Sequence, residues 1–208
     1  MTDRFSFWRA FWLLLGAAYF IVPLAATAEF SLRAGAGRHD LSAYGVILND
    51  PRFRESFWLS FKLALETIAI ALVLVVPTAY WVHLRLPRLR PTVEFISVLP
   101  FVVPPIVLVV GLLNVYREAP QFFIGTPQVL VAAYVILALP YLYRSLDAGL
   151  RAIDVHTLTE AAQNLGAGWT TILTRIILPN IQVAVLSSAF LTLAIVMGEF
   201  TFANILLF

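Results

Sequence analysis

An all-α, polytopic membrane protein is the fold class this sequence predicts, and three observations predict it. Hydrophobic residues make up 61% of the 208 and charged residues only 12%, against about half and about a quarter in soluble domains. The apolar residues gather into runs of bilayer length, which requires roughly 20 helical residues at about 1.5 Å each to cross a core of about 30 Å. Five runs qualify: 8–28, 60–83, 95–116, 128–147 and 181–207. Between the last two lies a polar island with helix-cap and turn signals of its own.

Charge and cysteine content narrow the function. With no cysteine, neither a disulfide framework nor a thiolate metal site can form. The formal charge is +2, and the 13 arginines and one lysine are scattered over loops rather than clustered. Nucleic acid is therefore not an expected partner, whereas the anionic head groups of a lipid bilayer account for the arginines. No phosphate-cradling Gly-x4-Gly-Lys loop and no Ser/His/Asp or Cys/His set occurs, so the chain is not read as an enzyme and no metal site is expected.

The first run follows Arg4 and Arg9 and ends at Ala26-Thr27-Ala28, the look of a signal peptide. From Ala10 to Ala28 it is longer than a signal's apolar stretch, so 1–28 is expected to be a retained first span. Residues 29–59 read as a folded external loop: four acidic residues balance four arginines, Gly35, Gly37 and Pro51 interrupt it, and 41–48 is amphipathic.

The second span opens near Ser60 with Lys62 and Glu66 one turn apart. Glu66 has two readings, a group near a translocation path or half of an interfacial pair. At the far end Tyr80, Trp81 and His83 read as an interfacial belt before Arg85, Arg88 and Arg90. His83 has no neighbour at metal-ligand spacing. These three arginines in one short loop mark the cytoplasmic side and place the N-terminus inside, 29–59 outside, 84–94 inside, 117–127 outside and 144–180 inside.

Pro100, Pro104 and Pro105 fall in the third span, with Asn114 near its end. Prolines leave carbonyls unpaired, so a kinked helix lining the interior is expected. The fourth span is the shortest, and Asp147 and Arg151, four apart, continue it into the cytoplasm.

The polar island follows. Asp154 and Thr157 are candidate N-caps, and Thr157-Leu158-Thr159-Glu160 fits a capping box in which Glu160 returns to the Thr157 amide. A helix over 158–165 is expected, then a turn at Gly166-Ala167-Gly168 using positive φ, then a second helix ending near Pro179. Trp169 reads as a packing anchor between this knob and the membrane face. In the fifth span Glu199 is an intramembrane carboxylate, and such a group is a candidate functional site. It has two readings, a pathway group or a carboxylate satisfied by a partner subunit.

Glu160-Ala161-Ala162, three residues, Gly166, nine residues, Ile176, one residue, Leu178-Pro179 resembles the EAA loop of permease subunits of binding-protein-dependent ABC importers, and the likeness extends over roughly 41–208. The resemblance implies that 60–208 is a permease core whose loop 152–179 is a coupling element. Glu160, Ala161, Ala162 and Gly166 would then meet an ATPase subunit. It further implies an ATPase dimer that binds the ATP (no cofactor being held by this chain), a second permease subunit, an extracytoplasmic substrate-binding protein, and residence in a bacterial plasma membrane. Glu66, Asn114 and Glu199 are the pathway candidates. The Gly198-Glu199-Phe200 stretch looks like the spermidine/putrescine branch, which implies a polyamine substrate. Such permeases have a sixth span, so a C-terminally incomplete chain is expected. The alternative is a secondary transporter or channel subunit without an ATPase partner, which would show inverted repeats or several intramembrane charges.

Overall fold

The computed structural model describes residues 3–34, 38–116 and 126–207. It divides into two compact units, 1–57 and 58–208.

The first unit holds α1 (Asp3–Leu32), a two-residue antiparallel hairpin of β1 (Arg33–Ala34) and β2 (Arg38–His39), and α2 (Ser42–Asn49). From Phe7 to Phe30 the large side chains of α1 are exposed and apolar, a surface suited to lipid tails. Glu29 closes the helix end by pairing with Arg33 at 2.8 Å and His39 at 3.3 Å. The Tyr44 hydroxyl donates to Ser31 Oγ at 2.6 Å and ties α2 back to α1. Gly35 and Gly37 lie outside the described residues, as does the connection 117–125.

The polar connection expected over 29–59 is partly helical at its end. α3 (Pro51–Arg85) starts nine residues before Ser60, because Pro51 is pre-set for a first helical turn and Asp50 Oδ1 accepts the Arg52 amide at 2.9 Å.

The second unit is built on α3 and α6 (Pro127–Arg151). Every fourth residue of α6 from Leu130 through Tyr134, Ala138, Leu142 and Leu146 to Leu150 is buried, one stripe along a helix. α3 answers with a small-residue stripe of Ala64, Thr67, Ala71 and Ala79, each 0% exposed. Ala71 meets Ala138 and Leu142 midway. Such residues let backbones approach where lipid offers no hydrophobic gain for association.

The third span differs from the expected kinked helix. It is two helices, α4 (Arg90–Val102) and α5 (Pro105–Tyr116), bent by 103°. Val103 is extended (φ −84°, ψ 125°), as a residue before proline prefers to be, and Pro104-Pro105 removes two amide donors in succession. Pro100, by contrast, sits inside α4 without ending it. A 3₁₀ turn, Pro87–Leu89, links α3 to α4.

After α6 come α7 (Val155–Asn164), then α8 (Trp169–Thr171), a π-helical stretch Ile172–Ile177 and α9 (Leu178–Asn180) in one run, and α10 (Gln182–Gly198) at 80° to that run. The expected fifth span is also divided: α10 ends at Gly198 and α11 (Thr201–Leu207) follows a break at Glu199. Among the described residues three helices, in α1, α3 and α6, are long and apolar enough to cross a membrane, or up to five spans if each bent pair counts as one. An all-α polytopic membrane protein is what results.

α10 crosses α6 very closely. A Cβ on Gly149 would lie 2.5 Å from the Ala184 Cβ, and Ser145 Oγ donates to the Ala184 carbonyl at 2.9 Å. Gly149→Val is expected to cost about 1–3 kcal/mol through overpacking, read as a lower melting temperature in detergent. Ala184→Gly should return part of the loss.

Candidate functional site

The coupling candidates lie on and just after α7. Asp154, not Thr157, is the N-cap: its carboxylate accepts the Thr157 amide at 3.1 Å and the Thr157 hydroxyl at 2.7 Å. Those two hydrogen bonds hold the Asp154 carboxyl below its ordinary pKa, the amide first. The Thr157–Glu160 capping box is therefore not formed, and the helix opens at Val155 rather than at Leu158. Glu160 is exposed and makes no hydrogen bond or ion pair among the described residues, which leaves its carboxylate for a partner.

One face of α7 is sunk into the chain's own core. Val155, Thr159 and Ala162 are 5%, 2% and 5% exposed, at i, i+4 and i+7. Val155 and Ala162 join a cluster with Tyr80, Tyr143, Leu146, Leu150, Ile172 and Ile177. The Tyr80 hydroxyl donates to Thr159 Oγ1 at 2.8 Å, and Thr159 donates in turn to the Val155 carbonyl at 2.6 Å. Ala162 thus serves internal packing, while Glu160 and Ala161 face outward. Past the C-terminus Leu165 is 89% exposed. Gly166 takes φ +79°, where a side chain would be strained. Gly168 does not: it is extended at φ −77°, ψ 162°, leading into α8.

Trp169 anchors the knob as its neighbours suggest. Its ring meets Trp81 edge-on at 5.2 Å, and the Arg85 guanidinium lies 5.8 Å over it. The expected belt is revised here: Trp81 is exposed, but Tyr80 is buried at 3% and the His83 side chain is 8% exposed. These two point inward because α7 and α6 supply hydroxyl and carboxylate partners. The His83 partner is Asp147, at 2.7 Å. Asp147 also meets Arg90 at 3.0 Å and Arg151 at 2.6 Å. Spacing along the chain could not reveal it, since His83 and Asp147 are 64 residues apart. The one visible signal was Asp147 with Arg151, four apart, and that pair forms.

The pathway candidates are spread out. Glu66 faces Lys62 at 3.8 Å and lines a groove of about 400 Å³ with Ile70, Leu74, Gln128, Val131 and Val135. Asn114 is exposed on α5. Glu199 caps α11, its two oxygens accepting the Thr201 and Phe202 amides at 2.8 Å each, with the Tyr134 hydroxyl close to the same carboxylate. No hydrogen bond or ion pair among the described residues joins the three.

Residues 67–207 match the family described as the binding-protein-dependent transport system inner membrane component. The chain belongs to this family. Among its relatives is the spermidine/putrescine transport system permease protein PotB of Haemophilus influenzae, 26% identical over 174 residues, 76% of this chain and 60% of that protein. PotB of Escherichia coli is 27% identical over 175 residues, again 76% of this chain and 63% of the relative. The molybdenum transport system permease protein ModB of Mycobacterium tuberculosis is 30% identical over 199 residues, 91% of this chain and 74% of that protein. The chain thus spans about 60% of the length of the first PotB relative. As a member of the transport-system family it takes its place among inner-membrane transport proteins rather than enzymes.

Proposed function

We propose that this chain is a transmembrane subunit of an ATP-driven importer, inserted with its N-terminus in the cytoplasm. Its Val155–Asn164 helix with Leu165 and Gly166 docks on a separate ATPase subunit there. The observation that carries this reading is α7 itself: buried along one face, capped by Asp154, and presenting Glu160, Ala161 and Leu165 outward on a rigid base. A helix held this firmly passes on a push instead of absorbing it. ATP would be bound by the partner and not by this chain. The pathway would be shared with a second permease subunit, and an extracytoplasmic binding protein would deliver the solute.

For the solute, Glu66 on a largely apolar groove that also carries Gln128 favours a small cation such as a polyamine, in keeping with the PotB relatives. The longer ModB match supports a second reading, a small oxyanion. The test is uptake into proteoliposomes holding the whole complex and its binding protein, with labelled spermidine and molybdate offered separately. ATP-dependent spermidine uptake that is lost in Glu66→Gln supports the cation reading. Molybdate uptake alone selects the oxyanion, and ATP-independent uptake of either overturns the importer.

A further inference from the structure

Asp147 stands on the last turn but one of α6, immediately before the elbow that leads into α7. At 7% exposed it is a buried charge, and side chains from three elements converge on it: the His83 imidazole from the end of α3, and the guanidinium groups of Arg90 from the start of α4 and Arg151 from its own helix. Arg151 reaches on to Glu94 of α4 at 4.0 Å. Arg90 and Glu94 are one turn apart on α4, as Asp147 and Arg151 are on α6, so the two helices face each other with charges in complementary register. The guanidinium Nη2 of Arg90 and the hydroxyl of Tyr143 are buried with no protein partner among the described residues. The cluster therefore has donors to spare for a second arrangement.

We propose that Asp147 is a positioning residue that carries movement of α7 into the broken helix pair α4–α5. The inference rests on the importer reading above. α7 is fastened to α3 and α6 through Tyr80, Thr159 and the apolar cluster below it, where α4 contributes the partly buried Val93, and no polar contact in that fastening reaches α4. The carboxylate of Asp147 does. A push on α7 tilts the end of α6, and the pairs with Arg90 and Glu94 pass the tilt to α4, whose other end is the 103° break. Without the carboxylate, two guanidinium groups and an imidazole face each other with Glu94 alone to offset them, and α4 keeps only the apolar packing of Val93 toward the knob.

The test uses the complete complex in liposomes, with ATPase subunit and binding protein. Three quantities are read: the ATPase subunit retained, ATP hydrolysis with and without loaded binding protein, and solute taken up per ATP. Asp147→Asn is expected to retain the ATPase subunit while solute per ATP and stimulation by binding protein each fall about tenfold. Asp147→Glu should restore a good part of both, which mere loss of packing would not. If Asp147→Asn does not assemble, Arg90→Gln, which leaves the pairs with His83 and Arg151 in place, is expected to show the same uncoupling. Unchanged solute per ATP in whichever variant assembles overturns the inference. Failure of the unaltered chain to hold any ATPase overturns the importer reading, and this inference with it.

Discussion

Leu165→Asp is expected to weaken capture of the ATPase subunit about 100-fold while leaving the melting temperature of the purified chain unchanged. The Leu165 side chain is 89% exposed, so the fold gains almost nothing from it. Its amide closes α7 by bonding to the Ala161 and Ala162 carbonyls, and a change of side chain leaves those bonds intact. At an interface the same leucine is an apolar anchor, and losing such an anchor costs about 2 kcal/mol or more. Aspartate adds a desolvation cost in an apolar groove. Titration of detergent-solubilised chain with purified ATPase subunit reads the affinity. Equal affinity for both forms would place the contact elsewhere on the knob.

Glu199→Ala is expected to destabilise the chain by about 2–6 kcal/mol, with Glu199→Gln clearly milder. Both carboxylate oxygens accept amides of α11, from Thr201 and Phe202. Alanine leaves two donors without an acceptor in a segment where lipid supplies no water, at about 1–3 kcal/mol each. The damage spreads, because Phe202 is fully buried and packs on Tyr134 with ring centroids 6.2 Å apart. Glutamine keeps one acceptor oxygen and so holds part of the cap. Since the backbone already uses both oxygens, capping is the main work expected of this residue, and Glu199→Gln should keep most of its uptake. Melting in detergent together with uptake in proteoliposomes separates the two roles: a stable Gln variant without uptake would make the charge itself part of the pathway.

The fold class and the knob were legible because both are written in local chemistry. Apolar runs of bilayer length declare spans, and Asp154, Gly166 and Pro179 punctuate the island between two of them. What stayed hidden was non-local or was decided by competition. Pro100 and Pro104-Pro105 carry the same signal along the chain, yet only the pair, with Val103 extended before it, breaks the helix. Glu160 and Asp154 both had a claim on the Thr157 amide, and the aspartate wins because it sits at the N-cap, where a short side chain reaches the third amide. Glu199 reads along the chain as a pathway group or as a carboxylate satisfied by a partner subunit, and the break after Gly198 makes it a cap. His83 and Asp147 meet only when α3 and α6 lie side by side, and no window along the sequence contains both.

The importer account rests on whether an ATPase subunit holds this chain by its knob. Co-purification of the protein with ATPase subunits encoded beside it, with and without Glu160→Ala combined with Gly166→Pro, tests that most directly. Glu160 offers an exposed carboxylate, and Gly166 at φ +79° cannot become proline, whose φ is fixed near −65°. The unaltered chain is expected to bring down an ATPase and the altered one is not, at equal amounts in the membrane. An ATPase bound equally to both forms would contradict docking through this loop. No ATPase with either would contradict the importer and favour a transporter that works without one.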